Sequence, residues 1–131
     1  MAFKEKVLED LGSFLPEKAF LLNEEATLRQ AGGLHTEEPV NAKLIVRPKS
    51  TEEVSKILAI CNREKQPVVV HGGLTGLVYG TRTLPDQLIL SLERMNEIDE
   101  VDVVGRTLTC QSGATLQNIQ EKAEKQDMIF P

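Results

Sequence analysis

The sequence predicts an α+β fold in which a small mixed sheet, made of a βαβ unit and a hairpin, is flanked by helices. Two short apolar runs, Leu44–Val46 and Val68–Val70, bracket a stretch with helical periodicity, so both runs are expected to be parallel strands. Residues 87–92 form a third apolar run. Asp99–Val103 and Thr107–Gln111 then read as the arms of a hairpin that turns at Gly105.

Residues 1–40 are predicted to be a helical lead-in to this sheet. One helix is indicated by four apolar residues at helical spacing, Phe3, Val7, Leu8 and Leu11. Gly12 is expected to end this helix. The stretch PEKAFLLN predicts a short helical turn with Pro16 in its first position. NEEATLRQAGG predicts another helix, with Asn23 as the N-cap and glycines after its end.

Two later helices carry start signals. Ser50 can cap the amide of Glu53, and Glu53 can reach back to Ser50, which makes a capping box. One apolar face follows, formed by Val54, Ile57, Leu58 and Cys61. Thr115 is expected to cap the last helix, whose apolar face holds Leu116, Ile119 and Ala123.

Composition excludes several classes of protein. The net charge is −5 with Lys and Arg interspersed among Glu, which argues against binding nucleic acid through phosphate contacts. No apolar run is long enough to span a membrane. The first residues lack the features of a signal or transit peptide, so a cytoplasmic location is expected. Cys61 and Cys110 are expected to be buried free thiols rather than a disulfide.

A glycine-rich loop, HGGLTGLVYG, follows the second strand directly. Glycines let a backbone adopt positive φ and approach a ligand closely, and successive amides can then bind a pyrophosphate. Thr75 can add a hydroxyl donor. The loop matches neither the dinucleotide fingerprint G-x-G-x-x-G nor the ATP-binding P-loop. A tight loop without a ligand explains the same residues, and the loop alone does not decide between the two.

The order of motifs resembles one family. RPKSTEEVSKILAICNREKQPVVVHGGLTGL, LILSLERMNEI and TLTCQSGATLQNI are similar, in that order, to the start of the FAD-linked oxidases with a flavin domain of the vanillyl-alcohol oxidase or p-cresol methylhydroxylase (PCMH) type. The loop motif GG-TGLV-G is most similar to that of the branch that oxidises D-2-hydroxy acids such as lactate, glycolate and 2-hydroxyglutarate. The resemblance implies a PCMH-type N-terminal subdomain, with residues 41–131 as the N-terminal half of the FAD-binding domain.

The resemblance also implies roles for individual residues. The amides that bind the FAD pyrophosphate in relatives fall on Gly72, Gly73, Leu74, Thr75, Gly76 and Leu77. Gly80 falls where the chain turns away. Ser112, Gly113 and Ala114 match a second stretch that passes close to the cofactor. Some branches attach FAD covalently through a His that corresponds to Thr75, so non-covalent FAD is expected. His71 is expected to be a packed or solvent-touching residue rather than a site of covalent attachment, and Tyr79 stands where relatives often carry glycine. His35, His71 and the cysteines lack metal-ligand spacing.

No nucleophile beside a base is evident, and no catalytic residue is assigned. In relatives, the base and the carboxylate clamp belong to parts that follow this stretch. The chain is therefore expected to be a portion of a FAD-dependent oxidoreductase acting on CH–OH groups, inactive alone and completed by a missing C-terminal part or a second chain. An exposed sheet edge would favour a homo-oligomer. The alternative is a stand-alone, non-catalytic nucleotide-binding or interaction module, and whether the chain itself is an enzyme stays open.

Overall fold

The computed structural model describes residues 5–33 and 38–131. Phe3 and His35, both named in the sequence analysis, lie outside these residues. Along the described ranges the chain forms, in order, α1 (Glu5–Gly12), a 3₁₀ turn (Glu17–Ala19), β1 (Phe20–Leu22), α2 (Glu24–Thr27), β2 (Leu44–Val46), α3 (Thr51–Glu64), β3 (Val68–His71), β4 (Leu88–Ser91), β5 (Ile98–Asp102), β6 (Thr107–Cys110) and α4 (Leu116–Glu124).

The main sheet has the strand order β1-β2-β4-β3, and β5 and β6 form a separate antiparallel pair. β4 is parallel to both β2 and β3, with Ile89 opposite Ile45 on one side and Val69 on the other. The predicted mixed sheet and its parallel βαβ unit are therefore confirmed, but the hairpin, predicted to be part of that sheet, forms a separate pair, and β1 is the antiparallel strand of the sheet. The two strands of that unit are not hydrogen-bonded to each other, because β4 lies between them.

The lead-in contributes a strand as well as helices. Residues 16–23, predicted to be a helical turn, form only the short 3₁₀ turn before β1 pairs antiparallel with β2. Asn23 does precede α2, but its side chain makes no capping hydrogen bond. A short helical turn does follow Pro16, but it ends at Ala19, because pairing with β2 decides the conformation of Phe20–Leu22.

Apolar side chains fill both faces of the sheet. Since successive strand residues point to opposite faces, Leu44 and Val46 pack towards α1 and α3, whereas Ile45 faces the other way. On the first face lie the buried residues Val7, Leu11, Leu15, Ala19, Leu44, Val46, Ile57, Cys61, Leu88 and Leu90. The second face is built from Ala26, Ala31, Val40, Ala42, Ile45 and Ile89.

The start of α3 differs from the predicted capping box in one bond. Ser50 Oγ accepts from the Glu53 amide at 3.2 Å, as expected, but the Glu53 carboxylate accepts from the Lys49 amide at 2.7 Å rather than from Ser50. Ile57 and Cys61 are buried and Val54 packs beside them. Leu58 is 43% exposed, so its predicted place on the buried face is wrong.

The C-terminal elements follow the prediction closely. The hairpin arms agree with the predicted ones to within a residue, and the Asp102 carboxylate accepts from the Gly105 amide at 2.9 Å in the turn. Thr115 Oγ1 caps α4 by accepting from the Asn118 amide at 3.3 Å. Ala123 is buried, whereas Leu116 is 55% exposed, so its predicted place on the same apolar face does not bury it.

Two predictions about chemistry of the chain as a whole can be compared with the fold. Cys61 and Cys110 are both free thiols, but only Cys61 is buried. Burial raises the pKa of the Cys61 thiol. In the described ranges, no helix is both long and apolar enough to cross a bilayer.

Candidate functional site

The carboxyl ends of three parallel strands meet at one edge of the main sheet, and the glycine-rich loop begins there. His71 ends β3 directly opposite Ser91, the last residue of β4. The Leu92 amide donates to the His71 carbonyl at 3.0 Å, which keeps the two chain exits together. Ligands of sheets with parallel strands commonly bind at this edge, so the topology places the loop where a ligand site is expected.

The loop presents its backbone to solvent. None of the amides of residues 72–78 donates a hydrogen bond to another part of the chain that the structure describes. The Thr75 side chain is exposed and is equally free within those residues. Successive unpaired backbone amides can bind an anion when they point into one concavity.

The glycines of the loop act differently from what the sequence suggested. Positive φ occurs at Leu74 (59°) and Tyr79 (60°), and at none of the four loop glycines. A Cβ placed on any of them would meet no atom within 4 Å, as calculated for Gly72, Gly73, Gly76 and Gly80. Their function is therefore to keep the surface bare rather than to allow a left-handed backbone.

His71 fastens the two ends of the loop together. It is buried, and its Nε2 donates to the Thr81 carbonyl at 2.9 Å, which identifies Nε2 as the protonated nitrogen. Burial lowers the pKa of His71, and the bond to Thr81 opposes this only in part. Of the two predicted alternatives, a packed or a solvent-touching histidine, the structure shows the packed one.

Tyr79 packs against a charged neighbour. The Arg82 guanidinium lies 4.1 Å from the centre of the Tyr79 ring, and it also forms an ion pair with Glu38 at 3.0 Å. This cation–π contact lies at the far end of the loop and holds the bulky side chain in place. Sequence reasoning identified Tyr79 as unusual but had no signal for its partner.

The second predicted stretch, Ser112–Ala114, reaches the same edge through the residues that follow β4. The Gly113 amide donates to the Met95 carbonyl at 2.7 Å. A Cβ on Gly113 would lie 1.9 Å from the Leu92 carbonyl oxygen, so only glycine fits. Close packing of two backbones explains why residue 113 is a glycine. Within the described residues, Ser112–Ala114 form no hydrogen bond with the glycine loop.

An ion-pair cluster beside the loop was missed by sequence reasoning. Glu93 Oε1 accepts from Arg29 Nη2 and from Arg47 Nη1, each at 3.0 Å. Two arginines around one carboxylate leave a net positive charge next to the loop. The three residues are distant in sequence and no motif joins them, so only the fold brings them together. The described residues contain no group of three or more potential metal-ligating side chains.

The profile of one protein family, described as "FAD binding domain", matches residues 42–131. The chain belongs to this family. The FAD-linked resemblance and the FAD cofactor predicted from the sequence are thereby confirmed, and the loop and residues 112–114 both lie inside the matched range.

Proteins with similar sequences include enzymes named for D-2-hydroxyglutarate. Over 91 residues (70% of this chain), the chain is 43% identical to a probable D-2-hydroxyglutarate dehydrogenase, mitochondrial, from Oryza sativa, and 41% identical to the D-2-hydroxyglutarate dehydrogenase of Danio rerio. It is 33% identical over 123 residues to a D-2-hydroxyglutarate–pyruvate transhydrogenase from Saccharomyces cerevisiae. The matched parts are 16%, 17% and 23% of those proteins, so the chain spans a small part of its relatives.

Solved structures confirm the fold. An alkyldihydroxyacetonephosphate synthase superposes with a TM-score of 0.82 at 19% identity, covering 95% of this chain and 26% of that one. A p-cresol methylhydroxylase superposes with a TM-score of 0.75 at 18% identity, covering 95% and 25%. The predicted PCMH-type fold is therefore confirmed.

The loop fits the pyrophosphate of FAD. Seven amides without a partner in the described chain, Thr75 with a free hydroxyl, and glycines whose Cβ positions are open give both the donors and the room that two linked phosphates need. A net positive ion-pair cluster beside the loop favours an anion as well.

Proposed function

We propose that the chain is the FAD-binding portion of an oxidoreductase that acts on D-2-hydroxy acids, and that the loop 71–80 binds the FAD pyrophosphate. The observation that carries the proposal is the run of amides from Gly72 to Val78 that have no partner among the described residues, beside glycines with open Cβ positions. The substrate class is supported by two D-2-hydroxyglutarate dehydrogenases, one of them probable, that are 41–43% identical to the chain over 91 residues.

In this proposal the chain's own residues bind and orient the cofactor. Amides of Gly72, Gly73, Leu74, Gly76 and Leu77 donate to phosphate oxygens, and Thr75 adds its amide and hydroxyl. Gly80 lets the chain turn away, and Ser112–Ala114 pass close to the cofactor. Bound FAD supplies the hydride-accepting chemistry of such enzymes.

The isolated chain is proposed to bind FAD weakly and to have no turnover. Its matched length is 16–17% of the plant and fish relatives, and the sequence offers no base for the substrate hydroxyl. For turnover the chain is proposed to need a partner. The partner is either the missing C-terminal part of the flavin domain, whose N-terminal half starts at residue 41, or a second chain. β3 is an edge strand of the described sheet with Val70 half-exposed, which supports association there.

Two further expectations remain proposals. FAD is held non-covalently, because Thr75 occupies the position at which covalent branches carry His. Denaturation with acid would release all flavin into the supernatant if this is right, and flavin retained on the denatured chain would contradict it. The cytoplasmic location is also a proposal, and the relatives named above include mitochondrial enzymes.

The loop assignment is tested by titrating the ¹⁵N-labelled chain with FAD up to millimolar concentrations and following its amide signals. Shifts are expected to concentrate in residues 72–78. Gly73→Ala should weaken FAD binding by about tenfold, since a methyl group stands where phosphate oxygens approach and amide–phosphate bonds of about 1.5–3 kcal/mol are lost. The folded chain itself should keep its stability, because the added Cβ meets nothing within 4 Å.

Gly12→Ala is the matched control, since its Cβ also meets nothing and it lies at the end of α1, away from the loop. The proposal is wrong if millimolar FAD leaves the loop signals unmoved, or if the two alanine variants bind FAD equally well.

A further inference from the structure

The segment 29–33 lies against the glycine loop although it precedes the matched family range. Gly32 is buried, and a Cβ on it would lie 2.2 Å from the Leu74 carbonyl oxygen. Thr81 Oγ1 donates to the Gly32 carbonyl at 3.2 Å. Gly32 therefore contacts the loop near its start through Leu74 and, just after its end, through Thr81.

The contact with Leu74 matters because Leu74 has an unusual backbone. Its φ is 59°, a left-handed conformation that is strained for a residue with a side chain. Such a conformation persists only where neighbouring groups hold it. Gly32 leaves no room for a Cβ beside the Leu74 backbone, so this close packing restricts the path of the loop.

Arg29 lies at the rim of the same wall. Its side chain borders a crevice of about 30 Å³ together with Gly72, Leu74 and Glu93. The crevice is too small for a cofactor, but the Arg29 side chain is 45% exposed and so reaches the surface beside the loop amides. The backbone of Arg29 is held by bonds to Ala26 and Val40 at 3.0 and 2.9 Å.

The charge of Arg29 is only partly used within the fold. Its Nη2 donates to Glu93, and the other N–H groups of the guanidinium have no partner in the part of the chain that is described. Glu93 is shared with Arg47, so the three groups together keep one positive charge. A guanidinium with free donors is well suited to a phosphate because its planar fork matches two oxygens.

We propose that the segment 29–33 forms one wall of the cofactor site, with Arg29 binding a phosphate of the FAD pyrophosphate and Gly32 positioning the loop. This inference rests on the proposed function of the loop. It extends the site to residues that the sequence analysis did not select and that the matched family range does not include.

The first test replaces Arg29 by Gln in the full chain and repeats the FAD titration followed by amide signals. Loss of a charge-assisted bond at a half-exposed site should raise the dissociation constant about three- to tenfold. Arg29→Lys keeps the charge without the fork and should restore part of the affinity. The matched control is Arg63→Gln, because Arg63 is also a half-exposed, ion-paired arginine but lies on α3 and pairs with Asp10 and Glu64.

The second test replaces Gly32 by Ala, with Gly12→Ala as the control. Since the new Cβ overlaps the Leu74 carbonyl, the amide signals of residues 72–78 should shift before any FAD is added, and FAD affinity should fall as well. Gly12→Ala should leave both unchanged.

The outcomes separate this inference from the proposed function. Wild-type chain that binds FAD at the loop while Arg29→Gln and Gly32→Ala bind it equally well contradicts the inference and leaves the proposed function intact. Variants that lose stability but keep the wild-type affinity likewise show a merely structural wall and overturn it. Failure of the wild-type chain to bind FAD contradicts the proposed function, and this inference with it.

Discussion

His71 is a buried base at the point where β3 becomes the glycine loop. Its ring bonds to the Thr81 carbonyl, and Arg29 and Glu93 border the same small crevice. Burial lowers the pKa of His71 from its ordinary value of 6.5. The neutral form is therefore favoured in the fold, and the side chain acts as a fastener for the loop.

A pH dependence follows from the sign of this shift. Between the folded pKa and about 6.5, the unfolded chain binds a proton at His71 that the folded chain does not, so the free energy of unfolding falls as the pH decreases from about 6.5. His71→Gln, which retains a donor for Thr81, should remove this slope. Denaturant titrations at several pH values measure it, and His35 contributes equally to both proteins.

If the free energy of unfolding depended on pH identically in wild type and His71→Gln, the lowered pKa of His71 in the folded chain would be contradicted. A steeper loss of stability in wild type below pH 6.5 would support it.

The loop glycines show how a residue type can be predicted for an incorrect reason. Glycine was expected because the backbone needs positive φ, yet Leu74 and Tyr79 adopt positive φ and the glycines do not. The pattern did locate the loop and its bare surface. It could not show which residue carries the unusual backbone, since this depends on contacts with Gly32 and Arg82.

At the scale of elements, the start of α3 is a local feature that the sequence predicted well. Ser50 caps the Glu53 amide, and the donor to the Glu53 carboxylate is the Lys49 amide instead of the expected Ser50 amide, a shift of one residue. Capping depends on residues within one turn, so composition and spacing are sufficient to predict it.

Ser50→Ala should lower the free energy of unfolding by about 1 kcal/mol, because one amide of the first turn loses its acceptor. The measurement is a denaturant titration followed by circular dichroism. Ser55→Ala is the matched control, since Ser55 is exposed in the middle of the same helix. Equal stability of the two variants would show that the cap contributes nothing.

The strands show the other limit. Leu44–Val46, Val68–Val70 and the hairpin arms were predicted from apolar runs, alternation and turn residues. β1 was not, because its three residues stand between helical signals and gain their extended form from pairing with β2.

At the scale of the whole molecule, Thr83 ties the chain after the glycine loop to the chain before β2. Its buried hydroxyl oxygen accepts from the amides of Asn41 and Ala42 at 2.9 and 3.1 Å. The two segments are 41–42 residues apart, so this connection belongs to the tertiary structure alone.

Thr83→Val should lower the free energy of unfolding by about 1–3 kcal/mol, because two amides lose their acceptor while the shape of the side chain is kept. Thr83→Ser retains the hydroxyl and should remain close to wild type. Denaturant midpoints of the three proteins measure the difference. A loss of stability for Thr83→Ser but none for Thr83→Val would indicate that the methyl group, not the hydrogen bonds, stabilises this connection.

The amino-acid sequence by itself determined the fold class, the parallel βαβ unit, the hairpin and the caps of α3 and α4. It also determined the family to which the chain belongs, through the glycine loop and the motifs around it. These depend on periodicity, turn chemistry and motifs over a few tens of residues. Only the tertiary structure decided that β4 lies between β2 and β3 and that Gly32 supports Leu74. It likewise decided that Arg29 and Arg47 share Glu93 across 64 and 46 residues of chain. The reason is physical: local backbone preferences are encoded by neighbouring residues, whereas packing partners are selected by burial and charge among segments that meet only in the folded chain.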